Sequence, residues 1–169
     1  GVRWRSAARE GFRRVAKTLR EARARRNLLR FLLAYLLYND AIQTVIAMAS
    51  VFGAVELGLP VTTLLGALLL TQLVAFPGAV LFARFAEKRG AKPTLLASLF
   101  AWCVVLVYAV WISRAWEFWL LAGVVGLVLG GSQALSRSLY ARLIPPEQAG
   151  EFFSFYAIGG KFSAILGPF

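Results

Sequence analysis

The stretch Thr62–Phe85, TTLLGALLLTQLVAFPGAVLFARF, decides the class of fold. From Thr62 to Ala83 no side chain carries a charge. A helix rises ~1.5 Å per residue, so a run of this length covers the ~30 Å hydrocarbon core of a bilayer. A soluble helix this long would keep a polar stripe along one side, and this one does not.

The same pattern recurs on either side. Leu28–Val55 and Pro93–Ser113 flank the first stretch, Glu117–Tyr140 follows, and a fifth apolar stretch begins at Glu151 and runs to Phe169. Turn-forming residues separate them: Gly58 and Pro60, Gly90 and Pro93, Ser113–Trp116, then Pro145, Pro146 and Gly150. Composition agrees, with 59% hydrophobic and 16% charged residues, against about half and a quarter in ordinary soluble domains. The expected fold is all-α, a polytopic transmembrane helical bundle over residues 28–169. The start at Gly1 and the apolar end at Phe169 read as an internal piece of a longer polypeptide.

Charge is unevenly placed. Residues 1–30 hold eleven of the nineteen Lys and Arg and two of the eight acids, so most of the net charge of +11 lies there. Arg84, Lys88, Arg89, Lys92, Arg137 and Arg142 fall on the same side of the spans, whereas Arg114 stands alone on the other. The basic side is cytoplasmic by the positive-inside bias, and Trp111, Trp116 and Trp119 mark the opposite interface. The setting expected is the bacterial cytoplasmic membrane, with the N-terminus inside. Within residues 1–27, Trp4, Ala8, Phe12, Val15 and Leu19 recur at helical spacing among arginines. Two readings stand: an interfacial helix on anionic lipid headgroups, or a solvated basic linker that enforces topology. Nucleic acid is not an expected partner, since the segment is tethered to spans and has no fold to present it.

The chain has one cysteine, Cys103, and no histidine. An internal disulfide, a multi-cysteine metal site and the common His-dependent hydrolytic chemistries are therefore excluded. No metal or cofactor is expected, and no enzymatic activity.

Polar groups in hydrocarbon are costly and should face protein or a water-filled cavity. Leu28–Val55 holds Tyr35, Tyr38, Asn39, Asp40, Gln43 and Thr44. Asp40 falls near mid-span, where a carboxylate can carry a proton or cation because hydrocarbon disfavours its charged form. Asn39 and Gln43 share a face, as do Asp40 and Thr44. Lys161 lies at similar depth in the fifth stretch, and an Asp40–Lys161 pair or shared hydrated site is expected. Gly126 and Gly130 permit close helix approach, and Gln133 needs partners if buried. Pro77–Gly78 should bend its helix, as packing or as a flexing point. Pro93–Ser113 carries little polarity and reads as lipid-facing, with Cys103 inert.

Gly78-Ala-Val-Leu-Phe-Ala-Arg-Phe-Ala-Glu87-Lys88-Arg89-Gly90-Ala91-Lys92 resembles the cytoplasmic loop signature of the major facilitator superfamily. Ala83 stands where that signature has its first glycine, Glu87 where it has aspartate, and Ala91 where a basic residue is common. Gly130-Gly-Ser-Gln-Ala-Leu-Ser-Arg-Ser138, Ile144-Pro145, Glu151-Phe-Phe-Ser-Phe-Tyr156 and Gly160-Lys161-Phe-Ser-Ala-Ile-Leu-Gly-Pro168 resemble its vacuole-effluxer-like, autophagy-related branch, as does Tyr38-Asn39-Asp40-Ala-Ile-Gln-Thr44. The resemblance implies that the spans are the seventh to eleventh of twelve. It implies a secondary transporter working by alternating access on a small solute, an amino acid or related metabolite, with a proton or cation as coupling partner. Asn39, Asp40, Gln43, Gln133 and Lys161 would then line the pathway, and Glu87, Lys88, Gly90 and Lys92 would form the loop that stabilises one access state. The alternative is a non-transporting membrane scaffold or assembly protein that keeps the fold.

Overall fold

The computed structural model describes residues 25–166, with side chains as far as 161, and the isolated positions 11, 13 and 20. The expectations for the basic segment 1–27 lie almost wholly outside these residues. Five long helices follow one another: α1 (Arg26–Val55), α2 (Val61–Arg89), α3 (Ala91–Ala109), α4 (Ala115–Leu143) and α5 (Ala149–Leu166). Strands are absent among the described residues. The first four helices are long and apolar enough to cross a membrane. Among the described residues the fifth, which holds Glu151 and Lys161, falls outside that group.

Local chemistry sets the helix ends. Gly58 turns the chain after α1 at φ 59°, and Pro60 precedes α2 with its carbonyl accepting from the Thr63 N–H at 2.9 Å. Between α2 and α3 only Gly90 intervenes, at φ 91° and ψ 151°. That region is essentially closed to residues with a Cβ. Its N–H closes α2 on the Ala86 carbonyl at 2.9 Å, and its own carbonyl accepts from the Thr94 hydroxyl at 2.7 Å. Glu117 starts α4 as a capping group, its Oε2 accepting from the Ser113 and Arg114 N–H groups at 2.9 and 3.0 Å. Pro145 and a 3-10 turn at Pro146–Gln148 separate α4 from α5.

The chain divides into two compact units: Gly1–Gln43 with Tyr140–Phe169, and Thr44–Leu139. In the second unit, α2 and α4 meet along small residues. Ala67, Thr71 and Gly78 are the buried positions of α2, and Ala122, Gly126 and Gly130 are buried on α4. A Cβ on Gly126 would lie 2.6 Å from the Thr71 carbonyl oxygen, and one on Gly130 would overlap that of Ala75. One hydroxyl bridges the seam: Thr71 Oγ1 lies 2.9 Å from the Ala67 carbonyl and 3.1 Å from that of Ala122. The contacts of α2 and α4 ascend in the same sense, from Gly66 against Trp119 to Ala75 against Gly130. The two helices therefore run parallel, as spans separated by a single intervening crossing must.

α2 continues as one helix through Pro77, with Gly78 seated against the backbone of Leu127. α3 is only partly the lipid-facing helix expected. Its residues Ala91, Thr94, Leu95, Ser98, Trp102 and Val105 form a buried stripe, and the Trp102 indole N–H lies 3.5 Å from Ser132 Oγ on α4. Cys103 is exposed beside that stripe. The burial of Ala91 also gives a reason for its departure from the loop signature, because a basic side chain there would have to leave water.

Replacing Gly130 by Val is expected to lower the thermal stability of the detergent-solubilised protein by about 1–3 kcal/mol, the usual effect of overpacking. Gly123→Ala, where no atom lies within 4 Å of the added carbon, should leave the melting temperature intact.

Candidate functional site

In the unit that holds Asn39 and Asp40, α1 buries Leu28, Leu32, Tyr35, Asn39 and Ile42. The alternating spacing of four and three is that of a helix seam. Facing it are Tyr140 near the end of α4, Ile144 just beyond it, and Phe152 and Tyr156 on α5. Tyr35 stacks on Tyr156 with ring centroids 4.1 Å apart, and Tyr156 on Tyr140 at 4.8 Å. Tyr140, fully buried, donates its hydroxyl to the Phe152 carbonyl at 2.7 Å. Hydrocarbon and ring packing thus leave no polar tip of Tyr140 unmatched.

Further along the seam the side chains shrink. A Cβ on Gly159 would lie 3.2 Å from Leu36, and one on Gly160 would lie 2.9 Å from the Tyr35 hydroxyl. The ring stack holds Tyr35, so that oxygen cannot swing away freely. Beside it the Asn39 amide Nδ2 donates to the Gly160 carbonyl at 3.5 Å. Tyr35 against Tyr156 and then Asn39 against Gly160 show α1 and α5 running parallel.

Asn39 is therefore a buried seam residue whose amide is turned to α5. Its neighbour Asp40 is half-buried, Gln43 one turn on is half-buried, and Lys161, next to Gly160, is exposed. Asp40 follows Asn39 on α1 and Lys161 follows Gly160 on α5, so each is the sequence neighbour of one partner in the Asn39–Gly160 contact. Sequence reasoning named Asn39, Asp40 and Lys161 but not the part of Tyr35 and the Gly159–Gly160 pair. The signal for those was a glycine pair opposite an aromatic residue one turn before Asn39.

The remaining expected residues lie in the other unit. Gln133 is exposed on α4, with Ser132 and Ser136 buried on either side of it. Ser132 donates to the Leu129 carbonyl at 3.1 Å and Ser136 to that of Ser132. Glu87, Lys88, Gly90 and Lys92 are all exposed at the α2–α3 turn. That unit also holds an apolar cavity of about 400 Å³, lined by Thr44, Phe52, Val105, Val110, Phe118 and Leu121 among others. It offers no titratable group. No cluster of three His, Cys, Asp or Glu able to hold a metal occurs among the described residues.

Long apolar helices with buried small-residue seams and mid-span polar groups define an integral, multi-pass α-helical membrane protein. The chain belongs to the family described as "Vacuole effluxer Atg22 like", which it matches over residues 2–169. It is 41% identical over 157 residues to the uncharacterized MFS-type transporter YxiO of Bacillus subtilis, an alignment covering 93% of this chain and 36% of that protein. Autophagy-related protein 22 of Saccharomyces cerevisiae is 28% identical over 179 residues, covering 99% and 34%. Autophagy-related protein 22-2 of Aspergillus oryzae is 34% identical over 168 residues, covering 90% and 28%. The chain thus spans about a third of the length of these relatives. No solved structure matches it.

Asn39→Leu removes one intramembrane hydrogen bond, a change of only about 0.6 kcal/mol on average. Gly160→Ala forces the Tyr35 hydroxyl or α5 to move and should destabilise more. Thermal unfolding of the two full-length variants checks that order.

Proposed function

We propose that the whole polypeptide is a secondary active transporter that moves a small solute, an amino acid or a related metabolite, by alternating access. The observation that carries this reading is the polar set on α1 and α5, where half-buried Asp40 and exposed Lys161 flank the Asn39–Gly160 contact. A carboxylate and an ammonium at mid-span suit a solute bearing both charges. They also suit a proton or cation that relieves the cost of the half-buried carboxylate. The names of the relatives, an MFS-type transporter and a vacuole effluxer family, support the same class.

In this reading Asp40 couples flux to a proton or cation, and Gln43, Gln133 and Lys161 contact solute or ion. Asn39, held in the seam, sets the spacing of the two helices. Asp40 and Lys161 pair or share water in one access state and separate in the other. Glu87, Lys88 and Lys92, exposed around Gly90, stabilise one access state through charge pairing on the cytoplasmic side. The N-terminal basic segment belongs to that side too, as an interfacial helix on anionic headgroups or as a solvated linker, and the membrane is the bacterial cytoplasmic membrane.

Comparing metabolite pools of a deletion strain with its parent, followed by flux in proteoliposomes, identifies the solute. With it in hand, Asp40→Asn in the full-length protein should abolish gradient-driven accumulation while sparing insertion and expression. Unchanged accumulation across a pH series would remove the coupling role. Glu87→Ala should shift the balance of access states, read as altered labelling of cysteines placed at the cytoplasmic mouth; unaltered kinetics would leave the loop with topology alone.

A further inference from the structure

We propose that the α1–α5 seam binds one ordered water molecule, held by the Tyr35 hydroxyl and the Asn39 amide beside Gly160. The proposal concerns the joint between two helices and does not depend on what the protein carries. Both side chains are more than nine-tenths buried, Tyr35 at 9% exposure and Asn39 at 6%. They lie four residues apart, on the face of α1 that meets α5. The Tyr35 ring is taken up by Phe31, Tyr38 and Tyr156, the last at 4.1 Å. Its hydroxyl reaches the gap that glycine leaves at position 160, where a Cβ would lie 2.9 Å from it. Among the described residues that hydroxyl has no hydrogen-bond partner.

Other hydroxyls in these helices behave differently. Thr71, Thr94, Ser98, Ser132, Ser136 and Tyr140 each give theirs to a backbone carbonyl. Tyr140 belongs to the same ring stack, and its O–H is engaged by the Phe152 carbonyl at 2.7 Å. A buried O–H left unmatched costs more than a bond to it contributes, and phenylalanine would fill the stack equally well. Asn39 is under-used too. Its contact with the Gly160 carbonyl is 3.5 Å long, against about 2.9–3.0 Å for an ordinary N–H···O bond. A second N–H and a carbonyl oxygen of the amide are available besides. A buried water needs roughly two to four polar partners. The Tyr35 O–H, the Asn39 amide and the Gly160 carbonyl supply them, the water accepting from the tyrosine and donating to the carbonyl oxygens. All three groups are neutral, which suits water better than an ion.

Magic-angle-spinning NMR of the isotope-labelled full-length protein in lipid bilayers tests this, by following polarisation passed from water protons to assigned residues. The Asn39 side-chain amide and Gly160 should gain signal several-fold faster than Thr71, whose hydroxyl is bonded within the dry α2–α4 seam. In Tyr35→Phe, which keeps the ring and removes the oxygen, the Asn39 signal should slow to the Thr71 rate. Equal rates at Asn39 and Thr71 in the unsubstituted protein overturn the proposal, and that comparison stands even if Tyr35→Phe does not accumulate. An Asn39 signal that stays fast in Tyr35→Phe overturns it as well, because the water then belongs to a wider hydrated space and is not held by the tyrosine.

Discussion

Hydrocarbon supplies no hydrogen-bond partner, so every polar group carried into a span must find its own. That constraint organises the helices. Thr71 satisfies its hydroxyl on the Ala67 and Ala122 carbonyls, and Tyr140 on that of Phe152. Ser98, Ser132 and Ser136 bond back to carbonyls of their own helices. Each such hydroxyl is buried, and each partner is a backbone oxygen already engaged in its helix. The spans can therefore hold polar side chains without opening to water, provided the helices come close enough.

Closeness comes from missing side chains. Gly126 and Gly130 bring α4 against the backbone of α2, and Gly159 and Gly160 bring α5 against α1. The two seams differ in what they bury. Between α2 and α4 the contact is dry and nearly apolar, with one threonine as the bridge. Between α1 and α5 an aromatic stack gives way to a glycine pair, and there the Asn39 amide meets the Gly160 carbonyl. The first seam suits a rigid body. The second carries a buried amide, with Asp40 and Lys161 as the residues next along each helix, and it is the seam on which the proposed function rests.

Polar groups exposed along the described helices are informative for the same reason. Gln72, amid exposed leucines and Phe76, and Gln133 and Lys161 are all exposed. Lipid tolerates none of them at depth without cost. The exposed basic residues at the α2–α3 turn, by contrast, sit where water and headgroups meet them. A polar side chain thus carries meaning according to how far along its span it lies.

The sequence by itself determined the class of fold and the course of the chain. Uncharged runs such as Thr62–Ala83 leave no soluble alternative, and the helices begin and end within a few residues of where Gly58, Gly90, Pro93 and Pro145 place their breaks. Length and hydropathy are local properties, which is why they can be read without a structure. The loop signature and the Tyr38–Thr44 stretch likewise pointed to the family from residues alone. What only the tertiary structure decided is the direction of each polar side chain. Asn39 and Gln43 share a face in sequence, yet Asn39 is buried against Gly160 while Gln43 is half-buried; Gln133, a candidate for burial, is exposed. On a helix apolar all round, periodicity carries no phase. Which face is inside depends on where neighbouring backbones come close, and that is set by pairs such as Gly130 with Ala75 and Gly160 with Tyr35, far apart along the chain.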